Sequence, residues 1–238
     1  MRTEILTYDA DGLSMHSELY VDDSKSGARP GILVFPEAFG LSGHARSRAR
    51  RLAEMGYAAL ACDLHGNAQL YDELADAREL LEPLRADPGR IRARAGGGLA
   101  ALTAQPMVDA GRIAAIGFCF GGTMALELAR GGADLRAVVG FHSGLATVAP
   151  QDAANIKASI LVCIGADDPG IPPEQRADFE KEMRDGKVDW QMHLYGGVVH
   201  SFTSPEADAR GMPEFLRYDA TADARSWAAM TGLFDAIF

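Results

Sequence analysis

The stretch RIAAIGFCFGGTMALELA, residues 112–129, decides the fold. Ile113 to Phe118 is a short apolar run and reads as a strand buried on both faces. Gly121 to Ala129 reads as a helix, and Cys119 stands where the two meet, in Gly117-Phe118-Cys119-Phe120-Gly121. A strand turning straight into a helix forces its corner residue into a strained backbone conformation. Side chains two positions to either side would collide where strand and helix pack, which calls for Gly117 and Gly121. The same turn exposes the sulfur at a helix N-terminus, where unpaired N–H groups and the helix dipole favour thiolate over thiol.

Outward from this corner the chain alternates. Residues 31–36, 57–63, 135–142, 158–165 and 188–196 are further short, mostly apolar runs. Residues 13–21 instead place Leu13, Met15, Leu19 and Val21 on one side and His16, Glu18 and Tyr20 on the other, as in a half-exposed antiparallel strand that residues 3–8 can pair with. Helices are predicted over 44–56, 69–83, 88–104, 121–130, 172–184 and 221–237. Alternating strands and helices imply a mostly parallel sheet of about eight strands with helices on both faces, in a single α/β domain.

The 238 residues, 47% apolar and 24% charged, suit one full-sized core. A net charge of −10 repels a phosphate backbone, so no nucleic-acid partner is expected, and the cluster Arg46, Arg48, Arg50, Arg51 reads as a solvated helix face. No apolar run approaches the ~18 residues that would span a membrane, and no secretory leader is visible. Three widely spaced cysteines, Cys62, Cys119 and Cys163, fit a reducing cytoplasm better than a disulfide framework. Cys62 and Cys163 lie inside apolar strands and read as inert core thiols. Neither CxxC nor HExxH occurs, so no metal site is expected. Gly96-Gly97-Gly98 follows no strand and is no dinucleotide fingerprint; close helix packing explains it better, and no cofactor is expected.

In a sheet of this kind ligands bind at the carboxyl ends of the strands. Glu37 follows the run 31–36, Cys119 follows 112–118, Asp167 and Asp168 follow 158–165, and His200 follows 188–196. A thiol, an imidazole and a carboxylate make a nucleophilic triad. Their order along the chain, nucleophile then acid then histidine, is that of the α/β-hydrolase arrangement. In that arrangement one oxyanion donor is the backbone N–H after the nucleophile, here Phe120, and the other comes from the loop after the third strand, here Ala38. His142 also ends a strand and is a candidate for lining the pocket, His65 follows a strand and is a candidate for bordering the site, and His16, His44 and His193 read as surface or structural.

The motifs FPEAFG (35–40), ALACDLHG (59–66), GFCFGG (117–122), GADDPGIP (165–172) and YGGVVHSF (195–202) resemble those of the dienelactone hydrolase (carboxymethylenebutenolidase) family, over nearly the whole chain and in order. The resemblance implies one domain over 1–238, a cysteine nucleophile at Cys119, its histidine at His200 and its acid at Asp168. Asp168 is preferred to Asp167 because only it fits the family's G-x-x-D-x-x-V/I-P pattern. It also implies a glutamate near the nucleophile, Glu37, placed to hold or take the thiol's proton. The function implied is hydrolysis of a small lactone or ester through a thioacyl-enzyme; a thiol-based sensor or binding protein on the same scaffold is the alternative.

The family also carries an arginine four residues after its histidine, where this chain has Ser204. Its absence predicts a pocket without that carboxylate clamp and a preference for neutral short esters or lactones, unless Arg78, Arg210 or Arg217 brings charge by another route. Residues 203–217 form a long connection expected to fold over the pocket.

Overall fold

A computed structural model describes residues 1–238. Its strands are β1 (Arg2–Ala10), β2 (Leu13–Val21), β3 (Arg29–Phe35), β4 (Ala58–Ala61), β5 (Val108–Phe118), β6 (Ala137–Phe141), β7 (Ser159–Gly165) and β8 (Trp190–Tyr195). They form one sheet in the order β1-β2-β4-β3-β5-β6-β7-β8. β1 and β2 pair antiparallel, as does β2 with β4; every other pairing is parallel. The helices are α1 (Gly43–Met55), α2 (Leu74–Arg85), α3 (Pro88–Thr103), α4 (Phe120–Arg130), α5 (Pro173–Asp185) and α6 (Ala220–Ile237). None of them is long and apolar enough to cross a membrane.

The two-residue period of the central strands feeds two cores. Leu33, Phe35, Ile113 and Ala115 pack with α2, α3, α4 and α5 on one face. Ile32, Val34, Ala114, Ile116 and Phe118 pack with α1 and α6 on the other. Strands fully buried on both faces account for the uninterrupted apolar runs.

The strand order reverses between β3 and β5. Right-handed crossovers then send α1 to one face and α4 to the other, which opens a crevice at the carboxyl ends of these two strands. Phe35 pairs with Gly117 across the ladder, so the loop holding Glu37 and Ala38 emerges beside Cys119.

Two expectations need correction. α2 begins at Leu74 and not near 69, because residues 65–68 are wrapped around the Asp63 carboxylate, which accepts from the N–H groups of His65, Gly66 and Ala68. Asn67 and Ala68 are left at positive φ, outside helical space. Arg48 is also no part of a solvated face. It is 7% exposed, with its guanidinium bonded to His44, Thr203 and Asp223.

The glycine run in α3 is a packing device, tightest at its middle position. A Cβ on Gly97 would sit 2.6 Å from the Cβ of Ala10, whereas one on Gly96 would meet nothing within 4 Å. Gly96→Ala should therefore stabilise the protein by about 0.5–1 kcal/mol, the ordinary gain at an open helix position. Gly97→Ala should destabilise it by about 1–3 kcal/mol through overpacking. Urea midpoints of the two variants moving the same way would contradict this account of the α3–β1 contact.

Candidate active site

Cys119 occupies the corner between β5 and α4 with φ 55° and ψ −120°. A Cβ on Gly117 would lie 2.1 Å from the carbonyl oxygen of Gly121, and one on Gly121 would lie 2.3 Å from those of Phe35 and Pro36. Both positions are closed to any side chain. The strained corner is tied down by the Cys119 N–H, which donates to Phe141 O at 3.0 Å. The other two thiols are removed from chemistry. Burial pushes Cys163 up to about 12 and raises Cys62 as well.

Asp168 and His200 meet under the sulfur. His200 Nδ1 and Asp168 Oδ2 are 2.7 Å apart and both residues are buried. The other carboxylate oxygen accepts the Gly170 N–H at 2.8 Å. Asp167 points to solvent, so only Asp168 touches the ring. Burial disfavours the imidazolium, but the charge of Cys119 and hydrogen bonds to Asp168 and Cys119 outweigh it, and His200 is pushed up to about 10. Phe215 lies along the ring, its centroid 5.4 Å away at 21°. The His200 N–H donates to Phe215 O, which fixes the 203–217 connection to the histidine.

The Ala38 N–H has no acceptor within the chain. Phe120 opens α4, so its N–H has none in the preceding turn. His65 Nε2 lies 2.8 Å from Ala38 O and holds that peptide in place. These groups surround a cavity of about 530 Å³ lined by Glu37, Ala38, Cys119, Phe120, His200 and Phe215, with Leu74, Ile91 and Ile171 among its apolar wall.

The dienelactone hydrolase family model matches residues 18–238. This chain belongs to the dienelactone hydrolase family. Its solved relatives include m3DLH, 51% identical with a TM-score of 0.96, covering 100% of this chain and 98% of that one. A dienelactone hydrolase-like promiscuous phosphotriesterase from metagenomic libraries is 49% identical with a TM-score of 0.94, at the same coverage. A Bradyrhizobium protein named "Probable 2-oxo-3-(5-oxofuran-2-ylidene)propanoate lactonase" is 31% identical over 196 residues, 77% of each chain. The chain is accordingly an ester or lactone hydrolase with the α/β-hydrolase fold.

Within this dienelactone hydrolase family member, Ser204 lies off the main cavity, buried beside Glu37. Arg217 is turned away toward Gly197 O, and Arg210 reaches only a small side cavity. Of the three arginines named as another route for charge, Arg78 is the one that reaches the cavity. Arg78 and Arg85, two turns apart on α2, line its mouth. Arg78 lies over the Phe215 ring at 5.6 Å and Arg85 over Phe120 at the same distance. Arg85 left no signal in the sequence because nothing in the α2 pattern says which face meets the cavity.

Two histidines, His142 and His44, also take places that spacing does not reveal. His142 does not line the cavity. It is fully buried behind His200, rings 5.1 Å apart, with Nε2 bonded to Thr203 Oγ1. Burial and the charge of His200 hold it well below its usual range. His65 does border the site, through Ala38. His44 is no surface residue: it is 4% exposed and its Nδ1 lies 3.6 Å from Glu37 Oε2.

The raised His200 value has a direct test. The charge of Cys119 is the largest of the causes that hold the proton on the ring against burial. In Cys119→Ser, which lacks that charge, the His200 imidazole followed by NMR should titrate at a lower pH than in wild type. Equal midpoints would show that thiol and imidazole are not coupled.

Proposed function

We propose that the protein hydrolyses small lactones or carboxylic esters through a Cys119–His200–Asp168 triad and a thioacyl-enzyme. The observation that carries this reading is the buried 2.7 Å His200–Asp168 bond facing a thiol on a strained strand-to-helix corner. Asp168 fixes the tautomer and orientation of the ring, and His200 holds the proton beside the sulfur. The Cys119 thiolate attacks the carbonyl carbon. The oxyanion that forms is received by the N–H groups of Ala38 and Phe120, each worth roughly 3–4 kcal/mol when preorganised. The C–O bond then breaks, and His200 gives its proton to the departing alkoxide, which in a lactone stays tethered to the acyl chain. Water completes hydrolysis of the thioester. A small phosphotriester would place its developing charge in the same donors, and the phosphotriesterase named among the relatives supports including one in a substrate panel.

The mouth arginines support a substrate that carries a negative group away from the scissile bond. They are exposed, so their attraction is screened and modest. Arg78→Ala and Arg85→Ala should raise KM for an anionic lactone about two- to fivefold over a neutral one of equal size. Equal changes for both substrates would leave the arginines without a part in specificity.

Mixing with an activated ester should give an intact-mass adduct that maps to Cys119; mapping to Cys62 or Cys163 would overturn the assignment. His200→Ala should lower kcat by about 10²–10⁴-fold. Asp168→Asn should lose much of kcat, while Asp167→Asn, at an exposed side chain, should stay near wild type. The reverse order of the two aspartates would mean the wrong carboxylate has been assigned.

A further inference from the structure

Ala38 gives the oxyanion one of its two backbone donors in the steps above, and a short turn sets where that N–H stands. The Gly40 N–H donates to Glu37 O at 3.1 Å, which closes a turn over residues 37–40. The Glu37–Ala38 peptide is trans, so its C=O and N–H point to opposite sides. The C=O reaches across the turn, and the Ala38 N–H is sent outward, where it meets no acceptor of the chain. Closure of the turn fixes that direction. It does not fix how far the turn stands from Cys119 and Phe120, because Ala38 lies three residues past the end of β3.

That distance is set from residues 63–71. Phe39 O accepts the Tyr71 N–H at 3.0 Å, and a Cβ on Gly40 would lie 2.5 Å from Gln69 O, so the turn sits directly on this segment. The one side chain bonded to the turn's backbone is His65, whose Nε2 is 2.8 Å from Ala38 O. A carbonyl oxygen only accepts, so the ring's N–H is on Nε2. Burial holds His65 below the usual imidazole range and keeps the ring neutral. The Tyr71 ring meets it edge to face, centroids 4.9 Å apart. The buried Asp63 carboxylate gathers the N–H groups of His16, His65, Gly66 and Ala68, and Arg94 from α3 donates to Leu64 O. His65 thus projects from a knot anchored to β2 and α3, and it stands behind the cavity lining.

We propose that His65 is a positioning residue for the oxyanion site: the bond from its Nε2 to Ala38 O sets the distance of the Ala38 N–H from the sulfur of Cys119. This rests on the oxyanion role given to Ala38 above. An oxyanion donor acts within a narrow range, ~2.7–3.1 Å from the developing charge. A displacement of about 1 Å at a reacting centre can cost about a hundredfold in rate. Without the His65 bond the turn stays closed through Gly40 and attached through Tyr71, but Ala38 O loses its partner and the turn is free to rock about the Phe39–Tyr71 bond. The oxyanion forms in the transition states on both sides of the thioacyl-enzyme. A displaced donor therefore slows acylation and deacylation alike and leaves ground-state binding unchanged.

Steady-state hydrolysis of a short p-nitrophenyl ester gives the readout. His65→Phe keeps a ring against Tyr71 and removes the N–H. It should lower kcat about ten- to a hundredfold, with KM within about twofold of wild type. His65→Gln, which carries an amide N–H at a similar reach, should recover most of that loss. Ala38→Pro removes the donor itself, at the second position of a turn, where proline is favoured, and should lower kcat about 10²–10³-fold. The His65→Phe/Ala38→Pro double variant should be no slower than Ala38→Pro alone. Folded chains shield Cys62 and Cys163, so intact mass after brief iodoacetamide treatment counts unfolded chains, which take three labels, and rates are expressed per folded chain. If Ala38→Pro keeps the wild-type kcat, the oxyanion reading falls and this proposal with it. If Ala38→Pro is slow but His65→Phe matches wild type, changes KM alone, or is no slower than His65→Gln, the positioning role alone is overturned. Losses that add in the double variant overturn it as well.

Discussion

The contact on which the site depends is between backbones. The first turn of α4 lies against the exit of β3 so closely that a single methyl on Gly121 would stand 2.3 Å from two carbonyl oxygens. That approach sets the Phe120 N–H beside the loop that carries Ala38 and Glu37. It also turns Cys119 into a backbone region that ordinary residues avoid. Sheet pairing of Phe35 with Gly117 supplies the register, and the hydrogen bond from Cys119 N–H to Phe141 anchors the corner to β6. The strain at one residue is sustained by burial on both faces of the strands around it.

Behind the corner lies a second level of organisation, made of buried polar groups. Asp223 holds Arg48, Arg48 holds His44, and His44 faces Glu37. Thr203 joins this chain to His142, whose ring packs against His200. Ionised groups are costly to bury unless paired, and removing one member leaves its partner uncompensated. The network therefore resists relaxation around Glu37 and His200. It also draws the 203–217 connection and α6 into the architecture of the pocket, although neither contributes a reacting atom.

The electrostatics of the cavity run against those of the whole chain. The protein carries a net charge of −10, yet arginines from α2 stand at the cavity mouth and the imidazole of His200 lies within. An anion is repelled at long range and attracted at short range. The long-range component falls off over about a Debye length, ~8 Å at physiological salt, so the local arrangement dominates once a substrate reaches the mouth.

Much of this was legible in the sequence because it depends on short-range geometry. The strand-to-helix corner and its two glycines, the buried parallel strands and the residues at their carboxyl ends are all specified within a few positions of each other. Periodicity also separated the antiparallel entry strands from the buried ones. What escaped depends on which distant segments meet. α2 starts late because Asp63 gathers the N–H groups of residues 65–68. Arg48 and His44 share the i, i+4 spacing of a solvated helix face, and only α6 and Thr203 closing over that face bury them. Arg78 and Arg85 acquire meaning once α2 is docked over the cavity. Local sequence determined the strained corner at Cys119 and the places of Asp168 and His200 at later strand ends, because backbone sterics act between near neighbours. Tertiary structure alone decided which charges surround them, because a polar side chain is free to face water until another element covers it.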